Sequence, residues 1–225
     1  MLQYLLLVPL ALLVLIIVLA YIISPYDNPW IFRAKVKKYL AIPTPHERGT
    51  LFLGSSIIQF WKSLGTDLEC LSPVNRGLAG AKIGEIGHFT GDLVKSVKPS
   101  SVVIYAGSND IQGRKPRTAE GVLEGLKKII EQIHLIDSSI EVYYLSILPS
   151  AARTRLRHVD TVNEANRIIE DYCSEWEGLT FIDAVPLFSS EGLIQEHFYK
   201  KDKIHLTDQG YRILAQLILS SLKRP

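Results

Sequence analysis

The sequence predicts an α/β protein: a three-layer α/β/α sandwich on a five-stranded, flavodoxin-like parallel sheet, preceded by one transmembrane helix. Three observations carry this expectation. Short apolar runs alternate with longer amphipathic stretches, the pattern of a mostly parallel sheet flanked by helices. The short runs are continuously apolar and β-branched, as strands covered on both faces require. Residues 5–23 read LLLVPLALLVLIIVLAYII without a charge, close to the roughly 20 apolar residues that cross a bilayer core.

The amino-terminal run is read as an uncleaved anchor over residues 1–24. A cleaved signal peptide is the alternative, but its apolar region covers only about 7–15 residues, and neither a basic leader nor an A-x-A site is present. Pro9 is compatible with a membrane helix, where neighbouring groups satisfy the freed carbonyl. Residues 25–48 form a basic juxtamembrane linker, in which Tyr26 and Trp30 suit the headgroup layer. Arg33, Lys35, Lys37 and Lys38 stand beside Ile31, Phe32, Val36 and Leu40, which fits a short helix on anionic lipid and fits a solvated basic linker equally. These charges follow the apolar run, so the positive-inside rule leans the main domain toward the cytoplasm, while a serine esterase on a leader-like segment fits the outside of the cell equally.

Residues 49–225 leave room for one domain of ordinary size. Lys and Arg total 25 against 23 acidic residues, and a net charge of +2 supplies no field for nucleic acid. Cys70 and Cys173 have no metal-like spacing and are read as small buried core residues. No Cys/His cluster suits zinc, so neither a metal nor another cofactor is expected.

Strands are expected at Thr50–Gly54, 101–106, 141–147 and 179–182, with a weaker one near Val74. Val122, Leu126, Ile129, Ile130 and Ile133 recur at helical spacing, as do Val162, Ala165, Ile169, Tyr172 and Trp176. A last helix carries Tyr211, Leu214, Ala215, Ile218 and Leu222.

Ligands of an open parallel sheet bind beyond the carboxyl ends of its strands, and four signals fall there or in adjoining loops. Gly54-Ser55-Ser56 follows the first strand and precedes Ile57-Ile58-Gln59-Phe60-Trp61, which reads as a helix start. A serine there exposes its hydroxyl near the positive end of a helix, although serines after strands also cap helices. Asn75-Arg76-Gly77-Leu78-Ala79-Gly80 is a second turn, where glycine lets a backbone N–H approach a ligand or simply turns the chain. Gly107-Ser108-Asn109-Asp110 ends the most apolar strand, and its asparagine amide suits an oxyanion as well as a turn. Asp202-Lys203-Ile204-His205 spaces a carboxylate so that one turn brings it to an imidazole nitrogen, leaving the other for a hydroxyl. A helix-capping loop with an incidental histidine is the alternative.

In this order the four signals resemble the SGNH (GDSL-like) hydrolase family, whose marker residues are Ser, Gly, Asn and His. The resemblance runs from Thr50 onward, and SILPS at residues 146–150 with residues 178–183 is similar to the esterase branch that includes platelet-activating factor acetylhydrolase-like proteins. It implies Ser56 as nucleophile, Asp202 and His205 as its partners, and an oxyanion hole of Ser56, Gly80 and Asn109, with no cofactor. Many relatives carry Gly-Asp-Ser at the first block; here Ser55 stands in the middle and puts a second hydroxyl next door. The implied activity is hydrolysis of acyl esters of lipids or sugars, with membrane lipid as a neighbour. An acyltransferase with the same residues and a silent membrane-tethered scaffold are the alternatives. A nucleotide binder of the same fold class lacks both G-x-G-x-x-G and a P-loop.

Overall fold

The computed structural model describes residue 12 and residues 28–44, 48–112, 116–153 and 156–222. The run at 5–23, read as a transmembrane helix, therefore lies outside the described residues apart from Leu12. Among those described, no helix is long and apolar enough to cross a membrane.

Five parallel strands form one sheet: β1 (Thr50–Gly54), β2 (Val74–Gly77), β3 (Ser101–Tyr105), β4 (Glu141–Leu145) and β5 (Leu179–Ile182). Their spatial order is β2-β1-β3-β4-β5, the flavodoxin-like order. Side chains alternate between two cores, as a period of two dictates. Leu51, Leu53, Val102, Ile104, Val142 and Tyr144 face one core, while Phe52, Val103, Tyr105, Tyr143 and Leu145 face the other. The expected third and fourth strands each overran by one or two residues, because Ala106, Ser146 and Ile147 stay buried beyond the last ladder residue.

The first core is closed by helices α1 (Arg33–Leu40), α3 (Ile83–Val97), α5 (Ala119–Ile136) and α6 (Leu156–Ser174). The second is closed by α2 (Ser56–Gln59) and α7 (Asp208–Ser221). The short helix α4 (Ser108–Ile111) follows β3. Threonines cap two of the three helices that the periodicity announced: Thr118 accepts Gly121 N–H and Thr207 accepts Gly210 N–H, both at 3.2 Å.

Sequence periodicity passed over α3. Gly84, Gly87, Thr90 and Gly91 dilute its apolar stripe, yet Gly87 is where the helix comes close to α5: an added Cβ there would stand 3.3 Å from Ile129. A two-stranded hairpin, β6 (Ser189–Ser190) and β7 (Leu193–Ile194), was also unforeseen, being too short to show alternation. The stripe on α6 ends sooner than expected, since the helix stops at Ser174 and Trp176 is 57% exposed. Cys173 is buried, whereas Cys70, also expected in the core, is exposed.

The largest difference concerns the segment read as a linker. A turn at Pro29–Phe32 and α1 pack on α3, with Phe32 and Val36 buried in the first core. Asn28 N–H donates to Glu85 at 2.7 Å, and the Tyr39 hydroxyl donates to Gly77 O at 2.7 Å. Residues 28–40 are thus part of the folded domain. Burial of two apolar side chains, each stabilising by about 1.5–3 kcal/mol, docks the segment while Arg33, Lys37 and Lys38 stay exposed on its outer face.

Gly77, the last residue of β2, meets the backbone of α2 directly. A Cβ there would lie 2.3 Å from Gln59 N and 2.7 Å from Gln59 Cα, and neither backbone atom can swing aside. Gly77→Ala is expected to cost about 1–3 kcal/mol of stability, the range for overpacking a tight contact. Denaturant unfolding measures this, and an unchanged midpoint would contradict the close approach.

Candidate active site

Because β1, β2 and β3 are parallel neighbours, their carboxyl ends reach one edge together: Gly54 pairs with Gly77 on one side and Tyr105 on the other. Ser56 lies two residues beyond β1, Gly80 three beyond β2 and Asn109 four beyond β3. The chain leaves β1 toward one neighbour and later reaches the other, so this is the topological switch point at which such sheets bind ligands.

Ser56 opens α2, so its N–H has no carbonyl within that helix to bond. Its Oγ lies 3.0 Å from His205 Nε2, and His205 Nδ1 lies 2.7 Å from Asp202 Oδ2. An ionised carboxylate can only accept, so the ring proton belongs on Nδ1 and Nε2 is left to accept the Ser56 hydroxyl. Ser55 is only 2% exposed and its N–H donates to Tyr105 O. The neighbouring hydroxyl is therefore turned into the protein, while Ser56 meets the histidine.

Asp202 is shaped by its own turn. Lys203 adopts a left-handed φ of 57°, uncommon for a residue with a side chain, and the next two N–H groups then aim at the carboxylate. Ile204 N–H and His205 N–H both donate to Oδ1 at 2.9 Å. Partial desolvation pushes the carboxyl up, but the hydrogen bonds from His205 and Ile204 win and hold it at about 2. The turn is fastened to the loop after β4, where the Ser150 hydroxyl donates to Lys203 O at 2.7 Å.

Gly80 has φ of +85°, and an added Cβ there would meet nothing within 4 Å, so its backbone faces open space. Its loop is held from both sides. Gln59 of α2 accepts Ala79 N–H at 2.8 Å, and the Asn109 amide donates to Ala81 O at 3.0 Å. Asp110, buried at 1% exposure, accepts Ile83 N–H at 2.9 Å and pairs with Arg117 Nε at 3.0 Å, which anchors the turn that carries Asn109. The five residues expected from sequence thus gather in two linked groups: Ser56 with Asp202 and His205, and Gly80 with Asn109, joined through Gln59 of the Ser56 helix.

Several participants carry no sequence signal of their own. The Phe60 ring stands edge-on to His205 with centroids 5.0 Å apart. Tyr211 of α7 donates its hydroxyl to Ile57 O at 2.9 Å and stacks on Trp61 at 5.1 Å, pinning the Ser56 helix to the helix that follows His205. Asn75 bridges Ile58 O and Gly77 N–H. Each reads locally as a turn or core residue, and only the fold brings it to the edge. Beyond the ends of β3 to β5 lies a cavity of about 250 Å³, lined by Leu148, Pro149, Val159, Val162, Val185 and Ile194 together with the polar side chains of Ser108, Gln112, Ser150, His158, Asn163 and Ser189. Among the described residues, no group of three or more His, Cys, Asp or Glu is placed to hold a metal.

Residues 52–213 match the GDSL-like Lipase/Acylhydrolase family. Platelet-activating factor acetylhydrolase IB subunit alpha1 of Rattus norvegicus is 26% identical over 199 residues, covering 83% of this chain and 80% of that protein; the Mus musculus protein gives the same figures. A GDSL-like lipase from Bacteroides thetaiotaomicron superposes with a TM-score of 0.69 at 22% identity, over 84% of this chain and 95% of the other. A carbohydrate esterase family 3 protein from Talaromyces cellulolyticus superposes with a TM-score of 0.60 at 16% identity, over 76% and 94%. At such identity these two likenesses establish the fold.

The Asp202 environment yields a direct expectation. Its carboxyl is depressed in the folded protein, so the stability it contributes is complete above the ordinary value of 3.8 and is lost as pH falls through about 2. A carboxyl-carbon NMR titration should place its midpoint at about 2, whereas a midpoint near 3.8 would contradict the two backbone bonds.

Proposed function

Because the chain belongs to the GDSL-like lipase/acylhydrolase family, and is thereby an ester-hydrolysing serine hydrolase, we propose that Ser56 is its nucleophile, with His205 as base and Asp202 as the partner of that base. One observation carries the reading: a hydroxyl 3.0 Å from one imidazole nitrogen and a carboxylate 2.7 Å from the other, in one continuous line. Ser56 Oγ bonds to the carbonyl carbon of an ester as His205 Nε2 takes the hydroxyl proton. Asp202 holds the ring in the required tautomer and stabilises the imidazolium.

The carbonyl oxygen gains charge in this step. The N–H groups of Ser56 and Gly80 and the amide of Asn109 are assigned to receive it. The bond that the Asn109 amide gives to Ala81 O fixes its plane beside the Gly80 loop. Collapse breaks the bond to the alcohol, which leaves with the proton from His205. Water then attacks the acylated serine, giving up a proton to His205, and the carboxylic acid and free Ser56 are restored. The His205 side chain is 23% exposed and Asp202 45%, so water can reach the acylated serine.

The cavity whose lining includes Leu148, Val162 and Ile194 reaches Ser108, next to Asn109, and supports the reading of a short or medium acyl group, on an alcohol such as a lipid or a sugar. The uncharged run at 5–23 supports a single-pass membrane anchor for the domain.

Wild-type protein is expected to turn over a simple aryl ester, and Ser56→Ala or His205→Ala to reduce this to background. Asn109→Ala should lower kcat by roughly 100- to 1,000-fold with a smaller change in KM, the loss typical of one oxyanion donor. Steady-state kinetics on variants with unchanged circular dichroism measures both effects. Wild-type rates in Ser56→Ala would overturn the assignment.

A further inference from the structure

We propose that the protein holds its catalytic edge against a lipid bilayer and takes its substrate from that bilayer, an acyl ester borne by a membrane lipid. The substrate half rests on the esterase reading above. The orientation rests on how the chain joins the domain.

The continuously described chain begins at Asn28, and that residue is tied to the site. Glu85, only 4% exposed, uses one carboxylate oxygen to accept Asn28 N–H at 2.7 Å and the other to accept Lys82 N–H at 2.8 Å. Lys82 lies two residues beyond Gly80, and the carbonyl between them, Ala81 O, is the one that Asn109 holds. A single buried carboxylate therefore fastens the start of the folded chain to the oxyanion loop. Nothing required this: the segment continues to β1, which begins at the opposite edge of the sheet, and could have joined the domain there.

From residue 23, the end of the uncharged run, to Asn28 is five peptide steps. Fully extended, these span at most about 18 Å. An anchor at 5–23 thus keeps the Gly80 loop near the bilayer surface, whatever path those residues take.

The first surface after Asn28 has the chemistry of a membrane interface. Trp30 and Ile31 are 54% and 55% exposed, and the Arg33 guanidinium lies over the Trp30 ring at 5.2 Å. Arg33, Lys37 and Lys38 are exposed, and residues 28–44 contain no acid. An amphipathic ring with basic neighbours is what the headgroup layer of an anionic bilayer accepts. The molecule supplies its own control, because Trp176 is equally exposed but stands where α6 hands over to β5, at the edge far from the site.

The test uses the full-length chain reconstituted in vesicles of phosphatidylcholine and phosphatidylglycerol containing lipids brominated high on the acyl chain. Of the three tryptophans, Trp61 is buried at 2% exposure, so quenching should come from Trp30. Trp30→Phe should lose most of the quenching and Trp176→Phe should retain it. Absence of quenching, its survival in Trp30→Phe, or its loss in Trp176→Phe would overturn the orientation. A second arm inserts about 20 residues of helix-forming spacer after residue 24, lifting the domain by about 30 Å. Hydrolysis of a vesicle-borne acyl ester should fall at least about tenfold while a soluble aryl ester is cleaved as before. Equal cleavage of the vesicle ester with and without the spacer would overturn the claim that the domain must be held at the bilayer to take its substrate. A wild-type chain that cleaves the soluble ester but not the vesicle ester would overturn the lipid substrate. A wild-type chain that cleaves neither ester would instead overturn the esterase reading, and the substrate half with it, and the quenching pattern would still decide the orientation.

Discussion

The contact between Ser56 Oγ and His205 Nε2 joins residues 149 positions apart, and the rest of the molecule is arranged so that it forms. Neither side chain is placed by its own segment alone. Ser56 is held because β1 lies inside the sheet, paired on both sides, and delivers α2 at a fixed height above Gly77. His205 is held because Lys200 N–H donates to its carbonyl at 2.7 Å, while Tyr199 pairs with Leu206 across the same turn. Tyr211 then links α7 to the carbonyl of Ile57, one residue from the serine. A shift of either element by an ångström would break a 3.0 Å contact, which is why both ends are fixed by buried groups.

The polar atoms near the site do two jobs at once. Asn75 of β2 donates to Ile58 O in the turn after β1, while Gln59 and Asn109, from the turns after β1 and β3, bond Ala79 N–H and Ala81 O in the turn after β2, which ties the three turns together. Asn166 does the same after β4, its amide bonding both the N–H and the carbonyl of Ile147. Buried and half-buried amide side chains thus bond backbone groups beyond the strand ends. An open edge with an exposed Gly80 and a partly exposed His205 becomes rigid without being closed.

Much of this was legible in the sequence because it obeys local rules. The runs of β1, β3, β4 and β5 are largely apolar, α5 and α7 carry clean stripes, and Ser56, Gly80 and Asn109 follow strand ends while Asp202 and His205 share one turn ahead of α7. What escaped depends on partners distant in the chain. The glycines of α3 look like turns until Ile129 is seen against Gly87. Residues 28–40 look like a basic linker until Phe32 and Val36 find a cavity and Asn28 finds Glu85. Cys70 was expected inside on the habit of its residue type, but it lies in an exposed one-turn helix between buried Leu68 and β2. Phe60 and Tyr211 belong to apolar patterns that say nothing of the imidazole and the serine helix they serve.

Two adjacent serines follow β1, and the account depends on only one of them being activated. Ser55 is turned inward with its N–H on Tyr105 O, while Ser56 faces His205. Labelling the intact protein with a fluorophosphonate and mapping the adduct by peptide mass spectrometry decides between them. The account predicts a single adduct on Ser56, retained in Ser55→Ala and lost in His205→Ala, because a serine without its base is a poor nucleophile. An adduct on Ser55, or undiminished labelling of Ser56 without His205, would contradict it.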